Sequence, residues 1–70
     1  MSNIKTFFLN GEQYETERLL KVKTLLNYFN YNPTLFILEY NKVIINKIEW
    51  PNIIIQSNAK IELISIVGGG

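Results

Sequence analysis

Only residues 19–30 of this 70-residue chain carry apolar side chains at helical spacing, with Val22, Leu25, Leu26 and Phe29 at i, i+3, i+4 and i+7. The flanking segments on both sides read as strands. A single amphipathic helix has to bury its stripe against something, and here only a sheet is on offer. The chain is thereby constrained to an α+β domain, with one helix packed on one face of a mixed sheet. The helix lacks a Ser, Thr, Asp or Asn cap, because Lys21 stands just before Val22. Asn30 and Asn32 can end it, and Pro33 prevents its continuation.

Residues 4–9 are rich in strand formers, and Asn10-Gly11 joins them to a more polar extended stretch at 12–18. Asn and Gly both tolerate positive φ, as the two central positions of a type I′ hairpin turn demand. Residues 34–40 return to strand character, with Leu35 and Ile37 on one face and Phe36, Leu38 and Tyr40 on the other. A short turn at Asn41-Lys42 leads to Val43-Ile44-Ile45, and residues 46–52 form a loop carrying Trp50-Pro51. Residues 53–55 read as a brief strand, 56–58 as a turn and 60–67 as the last strand. The expected order is β-β-α-β-(β)-β-β, with residues 1–67 forming one domain and 68–70 a glycine tail. In the first strand, Phe7 and Leu9 compete with Ile4 and Phe8 for the buried face, and the pattern leaves both parities open.

The composition narrows the chemistry. There is no Cys and no His, so the chain has no thiol nucleophile, no disulfide, no imidazole base and no zinc ligand other than carboxylates. Aspartate is also missing, which leaves six glutamates as the only acidic side chains. Such an inventory suits a binding, carrier or scaffold role and hardly suits a self-sufficient enzyme. A net charge of +1 offers little phosphate neutralisation, which argues against nucleic-acid binding. Apolar runs stay far below the about 18–20 residues of a membrane span. Met1-Ser2-Asn3-Ile4-Lys5 lacks the basic, apolar and small-residue order of a signal peptide. The expected location is therefore the reducing compartment where the chain is made, and not outside the cell.

Three of the four glycines are the last three residues. They are open to reading as a frayed tail, or as a terminus that must be slender: without Cβ atoms it can thread a narrow channel, and its carboxylate is unhindered. In the last strand Ile61 and Leu63 share one face, and Lys60, Glu62, Ile64 and Ile66 the other. If the first pair packs under the helix, Ile64 and Ile66 lie on an uncovered face, joined by Phe36 or Leu35 according to parity. An exposed apolar patch beside a functional tail marks a protein–protein site; a strand buried on both faces is the other reading. Glu12, Glu15 and Glu17 read as a solvated hairpin edge sooner than as a metal site, and Trp50 as a core anchor sooner than as a base-stacking platform. Tyr28 and Tyr31 read as packing at the helix end.

A hairpin, one helix, further strands and a terminal diglycine resemble the β-grasp fold of ubiquitin-like proteins. Within that group the chain resembles the ThiS family, the sulfur carriers of thiamine biosynthesis. The matching residues are Asn10-Gly11, then Val22-x-x-Leu25-Leu26-x-x-Phe29, then Leu38-Glu39-x-Asn41-x-x-Ile44-Ile45 followed by Trp50. The most specific part is Ile61-Glu62-Leu63-Ile64-x-Ile66-Val67-Gly68-Gly69-Gly70. The chain departs from the family at Ser57-Asn58-Ala59, where a Gly-Asp type turn is usual, and lacks the proline and arginine common after Ile45.

The resemblance implies a carrier that is a co-substrate of other enzymes and binds no cofactor itself. An E1-like, ThiF-like adenylyltransferase uses ATP to activate the Gly70 carboxylate, with Gly68 and Gly69 threading that enzyme's site. A sulfur donor, such as a cysteine desulfurase, supplies the atom that makes the thiocarboxylate. A ThiG-like thiazole synthase then receives the sulfur. Ile64, Ile66 and Phe36 are the expected partner-binding face, and no metal, nucleic acid or membrane is involved. The cytoplasm, or the stroma of a plastid that encodes the chain, is the implied setting. Two alternatives stay open: a carrier like the small subunit of molybdopterin synthase, and a passive interaction module whose glycines are incidental. Ser65-Ile66-Val67 before the glycines, where molybdopterin relatives carry prolines, favours the thiamine branch.

Overall fold

A computed structural model of the chain describes residues 3–66. Its strands are β1 (Lys5–Leu9), β2 (Glu12–Thr16), β3 (Phe36–Tyr40), β4 (Val43–Ile45) and β5 (Lys60–Ser65), with one helix, α1 (Val22–Tyr28), and 3₁₀ turns at Pro33–Leu35 and Lys47–Asn52. The strands make a single sheet in the order β2-β1-β5-β3-β4. β1 and β5 run parallel, and every other pairing is antiparallel. This mixed sheet with one helix on one face is the expected β-grasp architecture.

Both tight hairpin turns form for the reason the sequence suggests. Asn10 and Gly11 have φ of 51° and 84°, and positive φ at both central positions matches the right-handed twist of the flanking strands. Asn41 and Lys42, at 52° and 69°, make a second turn of the same kind. Asn58, with φ of 66°, supplies the left-handed residue of the Ser57-Asn58-Ala59 turn, so an asparagine does there what glycine would otherwise do.

The helix begins without a side-chain cap on Lys21. Its first N–H is answered by tertiary structure instead: Val22 N donates to Ile53 O at 2.9 Å, and Ile55 N donates to Leu20 O at 2.8 Å. This corrects the expected strand at 53–55, whose backbone forms only an isolated bridge, Lys21 to Ile54, and joins no strand of the sheet. The segment is occupied by the helix entry. At the other end Asn30 takes φ of 61°, Asn30 N donates to Asn27 O, and Tyr31 N donates to Leu26 O. That is a Schellman closure, with asparagine in the usual glycine position.

Asn32 does not end the helix. Its Oδ1 accepts from Thr34 N at 3.0 Å and caps the 3₁₀ turn that Pro33 opens. The strand expected from residue 34 therefore starts at Phe36. The loop expected at 46–52 is also ordered as a 3₁₀ turn, capped by Asn46 Oδ1 accepting from Ile48 N.

The core gathers Phe7, Leu9, Val22, Leu25, Leu26, Leu38, Trp50, Ile55, Ala59 and Ile61. Phe7 and Leu9 thus settle the parity of β1, leaving Ile4 exposed and Phe8 half-buried. Trp50 is a core anchor, and its Nε1–H donates to Ile45 O at 3.0 Å. Tyr14, Phe29, Tyr31 and Phe36 form an aromatic seam along the edge of the helix, with successive ring centroids 5.3, 6.4 and 5.2 Å apart. Tyr28 packs edge-on against Phe29 while staying exposed. At seven residues α1 is too short to persist alone, and the burial of Val22, Leu25 and Leu26 holds it in place.

Candidate functional site

The strand that leads to the glycine tail, β5, is held differently along its length. Its first half lies between two neighbours, with Phe8↔Lys60 and Leu9↔Ile61 on the β1 side and the β3 ladder on the other. The β1 ladder stops there, because the chain turns away at Asn10-Gly11. On the β3 side pairing runs from Tyr40↔Ile61 to Phe36↔Ser65, and Ile66 N still donates to Leu35 O at 3.0 Å.

Two turn asparagines add to this grip. Asn41 N donates to Lys60 O at 2.8 Å, and its Oδ1 accepts from Lys60 N at 2.9 Å. Asn10 N donates to Ile61 O at 2.9 Å, and its Oδ1 accepts from Leu63 N at 2.8 Å. The sequence offered Asn10 only as a turn former. A side-chain bond across 53 positions leaves no local trace.

Antiparallel register fixes which side chains share a face. Ile37 lies opposite Ile64, Glu39 opposite Glu62, and Glu39 also opposite Ile44. Ile61 is buried, Leu63 half-buried and Leu38 buried, all on the helix side. The other face therefore presents Ile37, Ile44 and Ile64, exposed by 37, 66 and 45%. Leu35 and Ile66, both exposed, extend it toward the tail. Ile64 and Ile66 thus stand on the uncovered face, as the residue pattern suggested.

Phe36 does not. It is half-buried on the helix side and meets Tyr31 edge-on at 5.2 Å. Strand alternation forces this, since Phe36 shares parity with Leu38, and Leu35 and Ile37 replace it on the apolar face. Ile37 and Ile44 were missed as face residues, although the alternation of 34–40 already placed Ile37 opposite Leu38.

The face is banded. Away from the tail it becomes charged, with an open groove of about 520 Å³ lined by Phe8, Gly11, Glu39, Lys42, Lys60, Ile61 and Glu62. The register sets Glu39 directly opposite Glu62 across the strands, an arrangement of like charges that is ordinarily unfavourable. Glu12, Glu15 and Glu17 are exposed along β2 and just beyond it. Among the described residues no cluster of three or more His, Cys, Asp or Glu is placed to hold a metal ion, and no helix is long and apolar enough to cross a membrane. The tail residues Gly68, Gly69 and Gly70 lie outside the described residues.

The model of the ThiS family matches residues 7–70, all of the sheet and helix but the first two residues of β1, together with the tail. The chain belongs to the ThiS family. It is similar to the uncharacterized protein ycf40 of Trieres chinensis, 50% identical over 70 residues that cover 100% of this chain and 96% of that one. It is also similar to the ycf40 protein of Porphyra purpurea, 32% identical over 62 residues that cover 89% of this chain and 87% of that one. Among solved structures it matches the thiamine biosynthesis protein ThiS of Geobacter metallireducens, with a TM-score of 0.78, covering 93% of this chain and 99% of that one. At 18% identity that likeness speaks for the fold. Family and fold together make this a ThiS-like sulfur carrier.

Proposed function

We propose that the chain is the sulfur carrier for assembly of the thiazole ring of thiamine, acting as co-substrate and not as catalyst. The observation that carries this reading is the family match through residue 70 on a strand that aims its C-terminal end along an apolar, uncovered face. The four residues beyond Ile66 can span at most about 14 Å when extended. An enzyme acting on the terminal carboxylate must therefore sit against the end of the sheet, where Leu35, Ile37, Ile64 and Ile66 are exposed.

In the proposed cycle, an adenylyltransferase of the ThiF type joins the Gly70 carboxylate oxygen to the α-phosphorus of ATP and releases pyrophosphate. Sulfur at the hydrosulfide level, originating from a donor such as a cysteine desulfurase, attacks the carbonyl carbon. The C–S bond forms, the C–O bond to phosphate breaks, and AMP leaves with the electron pair. The thiocarboxylate then passes its sulfur to a ThiG-like thiazole synthase. The chain contributes a slender terminus and a docking face; ATP and the sulfur source belong to its partners. The cytoplasm, or the stroma of a plastid, is where such partners and a reducing environment coincide.

Intact mass spectrometry tests this directly. After incubation with ATP, an adenylyltransferase from the same source and sulfide, the chain is expected to gain the mass of one oxygen-to-sulfur exchange, mapped to Gly70. Deleting Gly69 and Gly70, or appending a residue after Gly70, is expected to abolish that gain. An unchanged mass, with an enzyme shown to be active on another carrier, sinks the reading and favours a passive interaction module.

A further inference from the structure

We infer that Asn10 is a positioning residue for chemistry at the C-terminus, holding β5 on the line along which the tail leaves the sheet. This rests on the carrier reading above. β1 reaches β5 only at Phe8↔Lys60 and Leu9↔Ile61. If pairing ended there, Leu63 N–H would face an open edge. The Asn10 side chain takes that N–H at 2.8 Å, while the Asn10 backbone N–H holds Ile61 O at 2.9 Å. One residue thus extends the β1 side of the ladder by two positions, to within two residues of the end of β5.

Asparagine suits the position for two separate reasons. It tolerates the left-handed backbone that the turn needs, at φ of 51°. It also supplies a neutral carbonyl acceptor at the reach of one extra ladder rung. Asn41 grips the beginning of the same strand in the same manner, at Lys60, from the opposite neighbour. The strand bearing the tail is thus gripped from both neighbours by hairpin-turn asparagines, at Lys60 by Asn41 and at Ile61 and Leu63 by Asn10. Glycine would satisfy the Asn10 backbone equally well, so the side chain is there for β5.

Because a reacting carboxylate must be presented accurately, small losses of alignment reduce rate more than affinity. The contacts expected to dock a partner lie on the apolar face, away from Asn10. In Asn10→Gly the turn is retained and only the acceptor is lost. The expected result, with ATP, the adenylyltransferase and sulfide, is a fall in kcat for thiocarboxylate formation of about five- to tenfold, the scale of one lost hydrogen bond. KM for the carrier is expected to stay within about twofold, leaving the uniform binding energy untouched.

Asn10→Asp, which keeps an acceptor and suits the same turn, should restore most of the rate. Amide exchange at Leu63 should accelerate in Asn10→Gly and remain slow in wild type and Asn10→Asp. Faster exchange with unchanged kcat would reduce Asn10 to a merely structural role and overturn the inference. A raised KM at constant kcat would also overturn it, since Asn10 would then act through docking. A wild-type chain that acquires no sulfur overturns the carrier reading itself, and this inference with it.

Discussion

Leu38 and Ile37 are neighbours on β3, each opposite an apolar residue of β5, yet they live in different environments. Leu38, across from Leu63, is fully buried beneath the helix; Ile37, across from Ile64, is left 37% exposed on the opposite face. Strand alternation alone separates them. The covered face assembles ten buried residues and accounts for the fold. The uncovered face keeps branched apolar side chains in water, where they contribute less to stability than the same residues would inside. That difference assigns stability to the covered face and leaves the other free for the docking proposed above, and it can be tested from either side.

The largest effect is expected on the covered face. Leu38→Ala should cost about 2–5 kcal/mol, the range for truncating a buried leucine, read as a fall in urea midpoint. In so small a domain this approaches the whole folding free energy. A loss as small as that of Ile37→Ala, expected below about 1 kcal/mol, would erase the distinction between the faces. Next comes Trp50→Phe, which keeps an aromatic ring in the core but removes the Nε1 bond to Ile45 O. About 1 kcal/mol should be lost, with Ile45 O left short of a donor; an unchanged midpoint would mean that the bond adds nothing.

On the uncovered face, Ile64→Glu should leave thermal unfolding within about 1 kcal/mol of wild type while weakening binding to the adenylyltransferase by calorimetry. Unfolding of this variant would mean that the face is core after all. The smallest effect concerns the charged band. Glu62→Lys turns the opposed Glu39–Glu62 pair into an attractive one and should stabilise the fold by about 0.2–1 kcal/mol at low salt. Because the pair faces solvent, the gain should shrink as salt is added.

Local chemistry was enough to read the two turns, the helix stripe and the alternation that sets Ile61 and Leu63 on one face, because each depends on residues within a few positions of one another; which face is inward it left open. The glycine tail was visible for the same reason. Other features depend on distant partners. The residues at 53–55 have every local mark of a strand, but Ile53 O and Ile55 N are taken by the entry to the helix. Phe36 was assigned to the partner face because its parity is relative, and only the pairing Phe36↔Ser65 fixes it. Leu35 was expected within the strand, yet Asn32 and Pro33 hold it in a 3₁₀ turn.

What the sequence determined by itself was the two hairpin turns, the single helix facing a mixed sheet, and a composition without Cys, His or Asp. Tertiary structure alone decided which isoleucines face water and which asparagine supports the outgoing strand. Turn propensity and periodicity act over a few residues, whereas register and side-chain bonds across the sheet exist only after β1, β3 and β5 have been brought together.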